Sequence, residues 1–284
     1  MSDHPPSSWR GVVQTVALVL AISLVGVGLM AALWYRHVLQ PQVVFLGSGD
    51  RLSVLVTDGP ARLLIATGDD PTDFENAFTA VQPLFARRVD VLLVAGDHAD
   101  LLAPLAASQS EQVRLTRSLG GIPLSVEADE LGDITALTTP ARVRLSPQTT
   151  LSIETARALD ADPDDPDAWR VLIERGQTRL VVLSDGEAAA LFPPPPPASI
   201  IAVTGGDPVA GWDASPGAAL VAASGELSGP DLRARFAKPN APEWGFRVAG
   251  GEALVFYFTE KGLEVSGESA QQPAPPAASP QAGG

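Results

Sequence analysis

The sequence contains no cysteine and only three histidines, His4, His37 and His98. Without cysteine the chain can form no disulfide, no zinc–thiolate site and no thiol nucleophile. Cysteine content therefore does not indicate whether the protein works in an oxidising or a reducing compartment. Two of the histidines lie before or beside an apolar N-terminal segment, so the rest of the chain cannot supply the two or three histidines that a typical zinc enzyme uses. We therefore expect no zinc and no other cofactor.

Positive charge is also scarce, because 33 acidic residues outnumber 19 lysines and arginines and give a net charge of -14. Proteins that bind nucleic acid neutralise its phosphates with clustered Lys and Arg, so we do not expect nucleic acid as a partner of this acidic protein.

Several catalytic and binding motifs are incomplete in this sequence. Residues 47–52 lack the third glycine of a dinucleotide fingerprint, and there is no Walker lysine. Residues 182–186 lack the first glycine of a nucleophile elbow. The acidic stretch 160–167 has Asp165 where a calcium loop needs glycine, which indicates a solvated loop.

One uncharged segment, residues 11–34, is longer than the ~20 residues that a helix needs to cross a hydrocarbon core. Trp9 and Arg10 flank one end and Trp34 and Arg36 the other, as is typical of interfacial anchors. The alternative is a cleaved signal peptide, but its apolar region spans only about 7–15 residues and no small-x-small cleavage site follows here. The predicted segments are a short tail at 1–10, a transmembrane helix at 11–35 and a juxtamembrane linker at 36–42.

The positive-inside rule does not decide the orientation of this helix, because Arg10 and the amino terminus nearly balance Arg36 on the other side. A short leader followed by a large domain is typical of a single-pass protein whose amino terminus lies in the cytoplasm. We therefore predict a single-pass protein of the cell membrane with an extracytoplasmic soluble domain.

The soluble domain is predicted to cover residues 43–266 and to have an α/β fold. It begins with apolar runs at 43–46, 52–57 and 62–66, which are separated by glycine-rich and proline-containing turns and indicate strands. A helix is predicted to start at Pro71. Thr72 can cap it, and Glu75 can reach back as its capping-box partner.

Residues 91–94 are four large apolar residues in succession, which predicts a strand buried on both faces. Asp97, His98 and Asp100 follow at once. Because an α/β sheet holds its ligands outside the carboxyl ends of its strands, this stretch is the predicted location of any chemistry. A second helix is predicted at 99–107.

Residues 169–174 and 179–184 indicate a hairpin that turns at Gly176. A short helical piece at 187–191 leads into a polyproline spacer from Pro193. Further strands are predicted at 122–126, 142–145, 151–154, 199–204, 218–224, 253–258 and 263–266. Residues 267–284 are rich in Pro, Ala and Gly and are predicted to be a disordered tail.

In this order, residues 43–266 resemble the metallo-β-lactamase fold superfamily, and in detail the lactamase-like domain of competence-type DNA-uptake channel proteins (ComEC-type). The family's opening strand, roughly V-x-F-L-D-V-G-Q-G-D-A-x-L-V, is similar to VVFLGSGDRLSVLV at 43–56. Its R-x-L-D-x-L-L-L-T-H-x-H-x-D-H-x-x-G-L motif is similar to residues 88–105. Its later L-L-x-G-D hairpin and the strand ending in H-H-G are similar to 169–185 and 200–206. The resemblance implies a four-layer αββα sandwich preceded by one transmembrane helix.

The resemblance also implies one or two zinc ions, held by several histidines and an aspartate, with a metal-bound hydroxide as nucleophile. In this chain the motif is degenerate: Gly96 stands for the first histidine and Leu101 for the last, and only His98 and Asp100 match. The other ligand positions hold Leu52, Ala66, Thr204 and Gly205. The residual pocket comprises Gly96, Asp97, His98, Asp100 and Leu101. The weak metal candidates are His98 and Asp100, which Asp97 and a distant carboxylate such as Asp185 or Asp207 could join.

Two functions remain open from the sequence. The degenerate motif favours a membrane-anchored pseudoenzyme that binds or scaffolds another protein or an unknown small ligand. The alternative is a metal-dependent hydrolase, of phosphodiesterase or nuclease type, that uses His98 with acidic residues.

Overall fold

The computed structural model describes residues 7–35, 40–68, 70–81, 89–95, 115–119, 135–137, 140–157, 167–193, 196–206, 214–223, 244–259 and 262–265. The helices in these residues are α1 (Ser7–Trp34), α2 (Pro71–Val81) and a 3-10 helix (Ala188–Ala190). The strands are β1 (Gln42–Ser48), β2 (Arg51–Asp58), β3 (Ala61–Ala66), β4 (Val91–Ala95), β5 (Leu115–Leu119), β6 (Thr135–Ala136), β7 (Ala141–Arg144), β8 (Thr149–Ala156), β9 (Ala168–Arg175), β10 (Thr178–Leu183), β11 (Ala198–Val203), β12 (Ala214–Ala223), β13 (Trp244–Val248), β14 (Ala253–Thr259) and β15 (Gly262–Val265).

These strands form two mixed sheets. Sheet A has the order β15-β14-β1-β2-β3-β4-β5-β6, and sheet B has the order β13-β12-β11-β10-β9-β8-β7. The hairpins β1–β2 and β2–β3 turn at Gly49 and Gly59, whose φ angles of 59° and 62° suit glycine because it has no Cβ. From β3 to β6, and from β10 to β13, neighbouring strands are parallel.

The main core lies between the two sheets. The side chains of β2 alternate, so Val54 and Val56 enter this core while Leu55 lies on the opposite face of sheet A. Phe45 of β1 meets Phe256 of β14 edge to face, with ring centroids 5.8 Å apart. Each fully buried side chain of this kind contributes about 1.5–3 kcal/mol relative to leaving it exposed, so this layer is the main source of stability.

Helical segments cover the outer faces of both sheets. On sheet A, α2 buries Phe74, Ala77 and Phe78 against Leu55 and its outer-face neighbours. On sheet B, Ala188 of the 3-10 helix and Phe192 pack on the outer side chains of β10 to β12. The predicted α/β sandwich is therefore confirmed.

The β2–β3 turn of sheet A is bonded to the β7–β8 turn of sheet B. Asp58, at the end of β2, accepts hydrogen bonds from the hydroxyl groups of Ser146 and Thr149, the latter at 2.7 Å. The same carboxylate pairs with Arg175 of β9 at 3.2 Å, and the exposed fractions of the two side chains are 8% and 21%. We call this end of the sandwich the closed end.

Most predicted strands are confirmed, including the hairpin at Gly176 and the strand at 91–94, in which Leu92, Leu93 and Val94 are buried. The prediction that Thr72 caps α2 is wrong. Asp70 Oδ1 instead accepts from the backbone N–H groups of Thr72 and Asp73, at 2.8 and 3.1 Å. Pro71 occupies the first helical position, which proline favours, so the preceding aspartate becomes the cap.

Three described strands, β5, β6 and β13, were not expected from the sequence. The predicted helix at 99–107, the strand at 122–126 and the tail at 267–284 lie outside the described residues, as does nearly all of the acidic loop.

The helix α1 contains a 19-residue window, Gln14–Ala32, with a mean hydropathy of 2.4 and no part buried by the rest of the protein. Its 28 residues span ~42 Å at 1.5 Å per residue. It is therefore long and apolar enough to cross a membrane, as the sequence predicts, although it begins at Ser7 rather than residue 11.

Candidate functional site

The sequence places the residual metal motif directly after β4. Gly96, Asp97, His98, Asp100 and Leu101 all lie outside the described residues, which end at Ala95. Because β4 runs parallel to β3, and β3 antiparallel to β2, the carboxyl end of β4 lies at the same end of sheet A as the β1–β2 turn. This is the end opposite the closed end.

A cavity of about 670 Å³ lies at this end and opens to solvent. Its wall combines the β1–β2 turn of sheet A with the segments that follow β10 and β11 in sheet B. The lining residues are Asp50, Arg51, Ala168, Asp185, Gly186, Glu187, Ala188, Leu191, Gly205 and Gly206. We call this end of the sandwich the open end.

The β1–β2 turn is fixed to the start of α2. Ser48 donates its hydroxyl to the carbonyl of Asp70 at 2.5 Å, and Asp73 accepts from the backbone N–H of Gly49 at 3.3 Å. Gly250 leaves room for this carboxylate, since a Cβ there would lie 2.0 Å from Asp73 Oδ2. The turn that carries Asp50 and Arg51 is thus held by α2.

Arg51 joins the two sheets at the mouth of the cavity. It forms an isolated bridge with Gly205, and the next residue, Leu52, donates its N–H to the carbonyl of Thr204 at 2.8 Å. The guanidinium lies over Gly205, where a Cβ would be only 3.2 Å from Arg51 Nη1. Among the described residues the guanidinium has no hydrogen bond or ion pair.

The carboxylate of Asp185 is occupied by local donors. It accepts from Ser184 Oγ at 2.9 Å and from the backbone N–H groups of Glu187 and Ala188, both at 2.8 Å. Three of its roughly four lone-pair positions are therefore used to hold the segment that leads into the 3-10 helix.

The described residues do not fit a zinc site. No group of three or more His, Asp or Glu side chains within them is placed to hold a metal. Of the positions that the sequence resemblance marks for ligands, Leu52 and Ala66 are apolar and fully buried, and Thr204 donates its hydroxyl to the carbonyl of Ser184 at 2.6 Å. Gly205 has no side chain to offer.

Sequence reasoning brought Asp185 and Gly205 toward one site, and both line the cavity. The sequence did not indicate Arg51, because the turn at 47–52 was compared with a dinucleotide motif and with the family's opening strand, and neither comparison gives a role to position 51. The available signal was a single cation placed immediately before an apolar strand, in a glycine turn of an acidic chain.

No protein-family model matches the sequence, and no curated protein sequence matches it. Among solved structures, the chain is similar to the metallo-β-lactamase fold protein YhfI from Bacillus subtilis, with 11% identity over 77% of this chain and 99% of that chain and a TM-score of 0.49. A putative metal-dependent hydrolase from Parabacteroides distasonis is similar at 10% identity over 75% and 94% of the two chains, with a TM-score of 0.42. The short form of human tRNase Z is similar at 11% identity over 57% of this chain and 76% of that chain, with a TM-score of 0.37. The two mixed sheets with few helices are consistent with a metallo-β-lactamase-like sandwich, the architecture that the sequence resemblance implies.

Proposed function

We propose that this protein is a membrane-anchored pseudoenzyme of the metallo-β-lactamase fold, whose cavity binds a ligand or partner and does not hydrolyse it at a zinc centre. The observation that carries the proposal is the Arg51 guanidinium beside Gly205, at a position where the family has a histidine ligand. A fixed positive charge there opposes a divalent cation, because like charges repel strongly where water is partly excluded.

The state of Asp185 supports the same proposal. Its oxygens accept from Ser184 Oγ and from two backbone N–H groups, which leaves about one lone-pair position for a metal ion as long as the turn before the 3-10 helix is intact. Displacing one of these donors would cost a hydrogen bond, which typically contributes about 0.5–1.5 kcal/mol.

In this proposal α1 is the membrane anchor of a single-pass protein, and the sandwich lies in the extracytoplasmic compartment. A specific relationship to the DNA-uptake channel domain rests on the order of the sequence motifs. The net charge of -14 argues against nucleic acid as the ligand.

Metal analysis of the full-length chain in detergent tests the proposal. After incubation with zinc or manganese and gel filtration, we expect the wild type to retain far less than one metal ion per chain and to show no metal-stimulated cleavage of a chromogenic phosphodiester. The matched control is His98→Ala, which we expect to behave as the wild type does. Stoichiometric metal that is lost in His98→Ala, with phosphodiester cleavage, would establish the alternative hydrolase.

A further inference from the structure

We propose that the cavity at the open end binds a small zwitterion, with one carboxylate and one ammonium group, such as an amino acid or short peptide, and that Arg51 receives the carboxylate. This inference rests on the proposed function, because it assigns a ligand to the cavity of a protein without a catalytic metal.

The Arg51 guanidinium supplies the anion-binding half of the site. A guanidinium presents its N–H groups as a planar fork that matches the two oxygens of a carboxylate. Within the described part of the chain no acceptor satisfies these donors, although they line a cavity of about 670 Å³. Cavities of roughly 300–1,000 Å³ are typical of small-molecule sites, so the space suits a small ligand.

The backbone around Arg51 is already ordered for binding. The Leu52–Thr204 hydrogen bond fixes its strand to sheet B, and the contacts of Ser48 and Gly49 with α2 fix the turn before it. Gly205 leaves the guanidinium its position, since a Cβ there would lie 3.2 Å from Nη1 and would have to shift it slightly. An ordered backbone limits the conformational entropy lost on binding to that of the Arg51 side chain, which favours affinity for even a small ligand.

Acidic side chains on the same wall favour a ligand that also carries an ammonium group. Asp50 and Glu187 are exposed and line the cavity together with Arg51. Two negative charges repel a phosphate dianion or a nucleotide, whereas they attract an ammonium group. The combination of one cation and flanking acids therefore favours a zwitterion over a polyanion.

The apolar part of the wall accommodates the carbon skeleton of such a ligand. Ala168, Ala188 and Leu191 line the cavity, and Leu191 is 37% exposed. Covering this surface adds a modest hydrophobic contribution of about 25 cal/mol per Å². A short peptide with a small apolar side chain fits this composition.

Calorimetric titration of the full-length chain in detergent with glycylglycine tests the inference. We expect millimolar affinity, reduced about tenfold or more in Arg51→Gln, because the variant loses a charge-assisted hydrogen-bond pair. Arg51→Lys should keep the charge and recover part of the affinity. Gly205→Ala should weaken binding by displacing the guanidinium. The matched control is Arg142→Gln, which removes an arginine whose side chain is 72% exposed on β7 and should bind as the wild type does.

Three further ligands separate the parts of the proposal. Glycylglycine ethyl ester lacks the carboxylate and N-acetylglycylglycine lacks the ammonium group, and we expect both to bind more weakly than glycylglycine. Inorganic phosphate should also bind more weakly. Equal binding of the ester, tighter binding of phosphate, unchanged affinity in Arg51→Gln or no binding of glycylglycine would each overturn the inference. Metal content measured on the same sample distinguishes failure of this inference from failure of the proposed function. A metal-free protein that does not bind glycylglycine contradicts this inference alone.

Discussion

The two ends of the sandwich differ in whether a charged side chain between the sheets is paired with described residues. At the closed end the carboxylate of Asp58 is surrounded by Ser146, Thr149 and Arg175, which come from the other sheet. At the open end the guanidinium of Arg51 also lies between the sheets, yet no described side chain pairs with it. The Asp58 carboxylate is paired within the protein, whereas the Arg51 guanidinium has no partner among the described residues.

This difference indicates how the fold separates stability from binding. Removing one partner of a buried ion pair is strongly destabilising, whereas removing a charge that has no partner among the described residues should change the free energy of unfolding little. The comparison can be tested by removing each group in turn.

The largest effect is expected from Asp58→Ala at the closed end. The substitution removes the carboxylate from the largely buried Arg175, which keeps one hydrogen bond, to Gln148, and it removes the acceptor of two hydroxyl groups, so we expect a loss of about 3 kcal/mol in the free energy of unfolding. Arg51→Gln is the control at the open end and should change this quantity by less than about 0.5 kcal/mol. Urea denaturation monitored by tryptophan fluorescence measures both. Equal losses in the two variants would remove the distinction between the ends.

An intermediate effect is expected from replacing one glycine at each end by alanine. Here the open end has less room for a side chain than the closed end. A Cβ at Gly47, near the open end, would lie 1.8 Å from the carbonyl oxygen of Ala249, so Gly47→Ala must shift backbone and should cost about 2 kcal/mol. Gly59, in the closed-end turn, has no atom within 4 Å of that position, so the cost of Gly59→Ala comes from its φ of 62° alone and should be about 1 kcal/mol. Thermal unfolding of the two variants provides the comparison. A larger loss for Gly59→Ala would contradict the packing described at Gly47.

The smallest effect is expected at the start of α2, the helix that holds the β1–β2 turn at the open end. Asp70→Ala removes the cap of α2 and should lower stability by about 1 kcal/mol. Thr72→Ala, at the position favoured by the sequence pattern, should leave stability nearly unchanged. The same denaturation experiment separates them, and a greater loss in Thr72→Ala would restore the capping box with Glu75.

The sequence predicts elements whose burial is local and misses those that depend on distant partners. The apolar runs of β1 to β4 identify strands because both faces are covered. By contrast β5, with the sequence LTRSL, and β13, with WGFRV, carry charge and glycine and become strands only through pairing with their neighbours.

The candidate site was predictable only in part for the same reason. The motif order brought Asp185 and Gly205 to one end of the fold. The contact between Arg51 and Gly205 joins residues 154 positions apart and has no local signature. The capping error at Thr72 is different, since Asp70 was visible in the sequence and Pro71 indicated it.

The attachment of β1 to the membrane helix has a consequence for how a ligand reaches the protein. Only residues 35–41 separate α1 from β1, a tether of at most ~25 Å, and β1 starts at the closed end, where Gln42 pairs with Thr57. With α1 in a bilayer, the closed end is the point of attachment, and the cavity lies a further ~23 Å away along the seven residues of β1. The cavity then lies at the end of the sandwich away from the point of attachment, so we expect its ligand to arrive from solution and not from the lipid.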